Sequence, residues 1–345
     1  MENEKYNPIT IGYLYDSDNC QSISIDVISK LDYVNYSFAL IDNGRAYIKE
    51  KNNLDKILKY KDIGVKISLS IGGWGADGFS EAVSSKNSRK IFIDSIIDLI
   101  KKYDFDGIDL DWEYPSVSFA NISSSKDDIS NFVFLCKELK ERFLEFDKKI
   151  ILSAAVPCSD KYYDYKELNK LLDYVNIMSY DLSVSSDIAN HHCNLYANKE
   201  IHSYSSADEA VKQIMRYVPK KKIVIGIAFY GRYGEFKGKD FKLGDKLDKP
   251  QLSSFSYKDI KEMISNGVEV LWDDIAKAPY IISDGKFISF DNQESIKEKS
   301  QYVIKNGLGG LMFWQLGASS TNELVEAIYR FTKMNKTWQL LEKKV

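Results

Sequence analysis

Short runs of apolar and β-branched residues recur along the chain at 9–15, 33–40, 65–71, 107–112, 150–156, 174–180, 223–230 and 310–314, each bounded by glycine or polar positions. Nearly continuous apolar runs of this length read as strands covered on both faces. Between them, apolar residues return every three or four positions, most clearly over 87–103, 127–146, 207–217, 293–305 and 322–333. That is the spacing of helices with one buried side; Ile91, Phe92, Ser95, Ile96 and Leu99 mark one such face. Strand alternating with helix eight times predicts an α/β fold, and its simplest closure is a (β/α)8 TIM barrel. An open doubly wound sheet would show the same alternation. However, the glycine-rich stretch Ser70-Ile71-Gly72-Gly73-Trp74-Gly75 fits neither of the phosphate-binding spacings such a sheet uses for nucleotides.

One interval breaks the rhythm. About 60 residues, 232–291, separate the seventh strand from the helix before the eighth, far more than an ordinary loop. The interval has apolar runs at 268–272 and 280–282 and turn signals at Asn266-Gly267 and Asp284-Gly285. These predict a small α+β insertion domain over 233–291, between strands seven and eight of a single barrel spanning 1–345.

Composition narrows the function classes. Hydrophobic residues make up 44% of 345, enough for a large core, and 47 basic against 50 acidic residues leave a formal net charge of −3. No strongly basic stretch is present, so nucleic acid is not expected as a partner. The longest apolar stretches, such as 149–156 and 223–230, fall far short of the roughly 20 residues that span a bilayer. The N-terminus, Met-Glu-Asn-Glu-Lys-Tyr-Asn-Pro, is charged and lacks a signal-peptide core. Either a signal has been removed or the chain is the catalytic part of a longer polypeptide. Cys20, Cys136, Cys158 and Cys193 are scattered and read as isolated thiols. His191-His192-Cys193, with His202 nearby, has no metal-ligand spacing, since adjacent residues rarely chelate one ion. Asn121-Ile122-Ser123 is a glycosylation sequon and says nothing until the compartment is known.

The chemistry concentrates in Asp106-Gly107-Ile108-Asp109-Leu110-Asp111-Trp112-Glu113-Tyr114-Pro115. Acids at 109, 111 and 113 alternate with Ile108, Leu110 and Trp112, so strand geometry places the acids on one face, roughly 7 Å from one to the next, ending at Pro115. On a barrel strand that face is the interior. Burying three like charges is costly, which argues against a structural role, while a solvated edge strand would not carry bulky apolar residues between them. Glu113 is the candidate proton donor: like charge from Asp111 and Asp109 disfavours its ionised form, and the three acids should titrate as a coupled set.

This run resembles the signature D-x-x-D-x-D-x-E of glycoside hydrolase family 18, the chitinase family, through Asp106, Asp109, Asp111 and Glu113. The resemblance continues in Ser70-Ile71-Gly72-Gly73-Trp74, Met178-Ser179-Tyr180-Asp181, Phe229-Tyr230-Gly231-Arg232 and Gly309-Gly310-Leu311-Met312-Phe313-Trp314. Trp272-Asp273-Asp274 and Ala278-Pro279-Tyr280 resemble the family's insertion domain, with the insertion as one wall of a groove. The resemblance implies hydrolysis of chitin or of N-acetylglucosamine oligosaccharides with retention, assisted by the substrate itself: the 2-acetamido carbonyl attacks its own anomeric carbon. Glu113 would protonate the leaving oxygen and later activate water. Asp111 would hold the acetamido N–H, Asp109 would support Asp111, Tyr180 would hold the acetamido oxygen and Asp181 would complete the shell. No metal or cofactor is implied.

Sugar rings favour flat aromatic faces. Trp314 is the expected floor; Tyr13, Phe38, Trp74 and Tyr230 stand at other strand ends, and Met178 and Arg232 complete the substrate-binding set. Trp112 is expected to pack between strand and helices, and Lys161-Tyr162-Tyr163-Asp164-Tyr165 reads as a loop cap. Gln315-Leu316-Gly317-Ala318-Ser319 stands where many relatives carry acids. That departure and a compact insertion favour short or soluble oligosaccharides. An endo-β-N-acetylglucosaminidase acting on N-glycans or peptidoglycan is the alternative, and a non-hydrolytic chitin-binding lectin is a third reading, set against by the presence of Glu113. The expected place of action is extracellular or at the cell or spore surface.

Overall fold

The eight apolar runs become a closed ring of parallel strands in a computed structural model that describes residues 6–16, 23–49, 51–184, 186–317 and 322–334. In chain order the strands are β1 (Ile9–Tyr15), β2 (Tyr33–Asp42), β3 (Arg45–Ile48), β4 (Lys66–Gly72), β5 (Gly107–Asp111), β6 (Ile151–Val156), β7 (Tyr174–Ile177), β8 (Ile223–Ala228), β9 (Tyr230–Glu235), β10 (Lys249–Ser256), β11 (Leu271–Asp273), β12 (Ala278–Ser283), β13 (Lys286–Phe290) and β14 (Gly310–Leu316). The helices are α1 (Ile25–Ile28), α2 (Leu54–Leu58), α3 (Phe79–Val83), α4 (Lys86–Tyr103), α5 (Asp128–Phe143), α6 (Tyr165–Leu168), α7 (Ala207–Ile214), α8 (Tyr257–Ser265), α9 (Gln293–Asn306) and α10 (Asn322–Tyr329). The ring runs β1-β14-β8-β7-β6-β5-β4-β2 and closes where β2 pairs with β1, so the fold is a (β/α)8 barrel.

β3 lies outside the ring, antiparallel to β2. Asn43-Gly44 joins them in a two-residue turn with both residues left-handed (φ 49° and 71°), the conformation such hairpins require. Asp284-Gly285 repeats this between β12 and β13, at 48° and 69°. Local side chains set the helix ends as well. Ser85 and Ser88 form a reciprocal cap at the start of α4, and Asn292 and Ser295 do the same for α9.

Packing of the barrel gives two hydrophobic regions, and a third gathers Ala189, Leu247 and Phe287. The larger lies between the strand ring and the helices and includes Phe79, Phe92, Trp112 and Phe132. The smaller fills the barrel interior with Ile11, Tyr13, Tyr33, Ile151, Val224 and Met312. The interior also holds Ser70, Asp109, Ser153 and Asn176, polar residues inside runs that read as nearly continuous apolar sequence.

The interval after β8 forms a second, antiparallel sheet in the order β10-β9-β13-β12-β11, with α8 beside it. It begins at Tyr230, three residues before 233. Chain entry and exit lie side by side: Gly231 pairs with Phe290, and the Ala228 N–H donates to Asp291 at 3.0 Å. The segment 186–203 joins this sheet to the barrel. Ala189 N–H donates to Asp245 O, His192 N–H to Ser289 Oγ at 3.0 Å and Gln251 Nε2 to Asn190 O at 3.0 Å. Cys136, Cys158 and Cys193 are free thiols, and Cys20, Ala318 and Ser319 fall outside the described residues. Among the described residues no helix is long and apolar enough to cross a membrane.

Candidate active site

The acid run sits at the C-terminal end of β5, the end at which barrels of this type carry their chemistry. Strand pairing stops at Asp111, opposite Gly72, so Glu113 stands just beyond the ladder rather than on it. The approach of the two strands at this point has a steric requirement. Gly72 has φ +115°, and a Cβ there would lie 2.1 Å from the Asp111 carbonyl oxygen, so only glycine lets the two chains approach this closely.

Asp109, fully buried, accepts four hydrogen bonds from four strands: Tyr13 Oη at 2.9 Å, Ser70 Oγ at 2.8 Å, Ser153 Oγ at 2.6 Å and Asn176 Nδ2 at 3.1 Å. Burial pushes its carboxyl up and these donors pull it back, with a net rise. Asp111 has no comparable set. Its Oδ1 is buried with no hydrogen-bond partner among the described residues. Burial, then Glu113, then Asp109 push its carboxyl well above the ordinary range. Burial likewise raises Glu113 to about 7, against the influence of the Tyr114 hydroxyl, which lowers it, while the charge of Asp181 raises it further. Glu113 can therefore hold a proton near neutrality, the condition for a carboxyl group to act as a general acid.

Tyr180 enters the barrel over Gly226. Ser179 Oγ accepts the Gly226 N–H at 2.8 Å and donates to its carbonyl at 2.9 Å, replacing the strand ladder. β7 therefore ends at Ile177 instead of continuing to 180. A Cβ at position 226 would lie 2.8 Å from the Tyr180 ring, so the glycine makes the room that ring occupies. Burial, followed by Asp111 and Glu113, pushes the Tyr180 hydroxyl well above its ordinary value, so it stays protonated and can donate.

Asp181 behaves in the opposite way. Its Oδ1 accepts from Tyr230 Oη and Arg232 Nε, both at 2.8 Å, and its Oδ2 accepts from Arg232 at 2.7 Å. Burial pushes its carboxyl up, but Arg232 and His192 outweigh it and hold it well below the carboxylate range. The Asp181 backbone N–H donates to His192 Nδ1 at 3.3 Å, whereas His191 Nε2 meets Asp273 at 3.1 Å. The two adjacent histidines thus turn to different partners.

Four aromatic rings border the acids on the β1–β2–β14 side. Trp314 stacks on Phe38 with centroids 5.5 Å apart, and Tyr13 and Tyr15 lean on Trp314 at 6.2 and 6.4 Å. Tyr13, read from the sequence as a sugar-stacking ring, is 2% exposed and uses its hydroxyl on Asp109; it belongs to the shell of that carboxylate. Trp74 is 65% exposed, and Met178 packs half-buried against the barrel interior. Trp112 is buried and stacks on Phe79 at 5.0 Å. The sequence reading missed Ser153 and Asn176 as partners of Asp109 and Tyr15 beside Trp314. Their signal was a polar residue interrupting an apolar strand at the parity of the acids, and an aromatic at the end of the first strand.

Comparison with known proteins extends this picture. The sequence profile of glycosyl hydrolases family 18 matches residues 9–319. Chitinase A1 of Niallia circulans is 31% identical over 302 residues, covering 79% of this chain and 43% of its own length. Chitinase 1 of Aphanocladium album is 34% identical over 281 residues, covering 76% and 64%. The chain thus spans between 43% and 64% of the length of these relatives. Among solved structures, a family 18 N-acetylglucosaminidase from Paenibacillus barengoltzii is 31% identical with a TM-score of 0.88, covering 94% of this chain and all of that one.

Proposed function

The chain belongs to glycosyl hydrolases family 18, and from that premise we propose that it hydrolyses β-1,4 linkages between N-acetylglucosamine units of chitin or chitooligosaccharides, with retention and with the substrate's own acetamido group as nucleophile. The observation that carries this reading is the pairing of a proton donor with an unsatisfied acceptor. Glu113 is poised near 7, and beside it in the sequence run Asp111 keeps a buried carboxylate oxygen with no hydrogen-bond partner among the described residues. An unsatisfied buried acceptor is unfavourable unless a ligand completes it, and an acetamido N–H is a suitable donor.

In this reading Glu113 gives its proton to the glycosidic oxygen as that oxygen leaves C1. The acetamido carbonyl oxygen forms the new bond to C1, and Asp111 offsets the positive charge of the resulting oxazolinium ion. Tyr180 donates to the acetamido oxygen and keeps it aimed at C1. Water then attacks C1 and yields its proton to the Glu113 carboxylate, which restores the acetamido group and the starting enzyme. Trp314 and Phe38 form the floor beneath the sugar, Trp74 offers an exposed ring, and the Asp181–Tyr230–Arg232 group binds polar edges of the substrate. The sheet of the insertion forms one wall of the groove. A target at a cell or spore surface fits such a substrate.

The likeness to an N-acetylglucosaminidase over that chain's full length favours keeping a second reading, an endo-β-N-acetylglucosaminidase that acts on N-glycans or peptidoglycan. The deciding experiment is hydrolysis of fluorogenic chitobioside and chitotrioside, beside Glu113→Gln and with a thiazoline mimic of the oxazoline. Activity that needs Glu113 and falls with the thiazoline supports substrate assistance. Product analysis on chitin oligomers, a high-mannose glycoprotein and peptidoglycan then separates the two substrates. Tight oligosaccharide binding without turnover would replace both readings with a lectin.

A further inference from the structure

The loop after β6 holds consecutive tyrosines, Tyr162 and Tyr163, that reach the two residues flanking Glu113. The Tyr163 hydroxyl, buried, donates to the Trp112 carbonyl at 2.6 Å. The Tyr162 ring stacks on Tyr114, with centroids 5.3 Å apart and planes 17° from parallel. Each contact is backed from behind. Tyr163 meets Phe132 edge-on at 5.1 Å, and Trp112 lies flat on Phe79. Phe119 meets both Tyr114 and Tyr162 edge-on, at 6.4 and 6.3 Å.

The position of these contacts distinguishes them from ordinary packing. Pairing of β5 with β6 ends at Leu110 opposite Ala154, and pairing with β4 ends at Asp111 opposite Gly72. Past those points no ladder holds the segment that carries the acid. The Tyr163 hydroxyl takes the Trp112 carbonyl in place of a strand partner, and the ring of Tyr162 fixes Tyr114, the residue that follows Glu113 in the chain.

We infer that Tyr162 and Tyr163 are positioning residues: together they clamp the residues before and after Glu113 and so hold its carboxyl at the angle from which it transfers a proton. This inference rests on the assignment of Glu113 as the acid. Neither tyrosine needs to touch substrate. Displacement of a reacting group by about 1 Å can cost on the order of 100-fold in rate, so the clamp should be read in kcat.

The test is steady-state hydrolysis of a fluorogenic chitotrioside by wild type, Tyr162→Ala, Tyr162→Phe and Tyr163→Phe, each checked for folding by circular dichroism and thermal midpoint. The expected result is a kcat about tenfold lower in Tyr162→Ala and several-fold lower in Tyr163→Phe, KM within twofold in both, and recovery in Tyr162→Phe, which keeps the ring. Tyr162→Ala also opens the wall beside Glu113 to water, so the alkaline limb of its pH profile should move to lower pH. In Tyr162→Phe that limb should stay in place. Folded variants with kcat and pH limb as in wild type overturn the clamp. If Tyr162→Ala does not fold, Tyr163→Phe decides alone, since it removes one hydroxyl and keeps the ring. A wild type inactive on the probe overturns instead the function on which the clamp rests.

Discussion

Asp111 and Asp181 are the same residue type, both flank Glu113 electrically, and burial drives both carboxyls upward. They nevertheless end at opposite extremes. Asp111 faces two further acids, and its Oδ1 has no donor among the described residues. Asp181 receives a two-pronged contact from Arg232 and a hydroxyl from Tyr230, so ionisation is favoured despite burial. Desolvation is common to both; the partners decide the outcome. A fixed negative group suits binding, since its charge is already matched within the protein. An acid deprived of partners suits chemistry, since a developing positive charge can supply what the fold withholds.

Breaking the acidic side of this contrast gives the largest expected effects. Glu113→Gln removes the transferable proton while keeping the shape, and turnover of a chitotrioside should fall about 1,000-fold, with the dissociation constant measured by calorimetry within a few-fold of wild type. A loss smaller than about tenfold would take the acid role from Glu113. Next, Asp111→Asn should lower kcat by about 100-fold, because an amide does not offset a cationic intermediate; unchanged turnover would point to a conventional nucleophile. Arg232→Met makes Asp181 resemble Asp111. Its carboxyl should then rise, KM should increase about tenfold, and activity should be lost on acidification at a higher pH than in wild type. A pH–KM profile that does not move would break the comparison.

The smallest effect sharpens it through stability. Because Glu113 binds its proton more tightly in the native state, with a pKa raised from 4.5 to about 7, wild-type stability should decline as pH rises between those values. Glu113→Gln lacks that decline. Its thermal midpoint should match wild type near pH 4 and exceed it by about 1–3 °C above pH 7 in scanning calorimetry.

The ring of strands was readable because burial on both faces leaves an uninterrupted apolar run, a signal that survives without any knowledge of partners. The hairpin Asp42–Arg45 has an equally plain local signal in Asn43-Gly44, but it adds a strand outside the eightfold alternation. Strand ends were harder. The sequence extends the sixth strand to Tyr180, but the side chain of Ser179 takes over the hydrogen bonds of Gly226 and ends the ladder early. Such substitutions of side chain for main chain leave no mark in periodicity. The acid run stood out because carboxylates are costly inside a barrel. The residues that hold it did not: Ser153 and Asn176 are ordinary polar residues until the fold brings them to Asp109 from strands far apart in the chain. Tyr162 and Tyr163 read as a loop cap for the same reason, since the residues they grip lie some fifty positions away.

The adjacency of the insertion's two ends has a consequence for how such a protein can change. With Gly231 paired to Phe290 and Ala228 bonded to Asp291, whatever lies between departs from and returns to one point of the ring, and the barrel closes without reference to its length. The insertion, proposed above as one wall of the groove, is thus an exchangeable part. A graft from a relative with a taller sheet would have to match this junction, the surface that segment 186–203 presents, the grip of Arg232 on Asp181 and the contacts of Tyr257 and Lys261 with Glu323 on α10. With Arg232 kept in place on Asp181, the proposed wall could change while the acids of the barrel stay as they are.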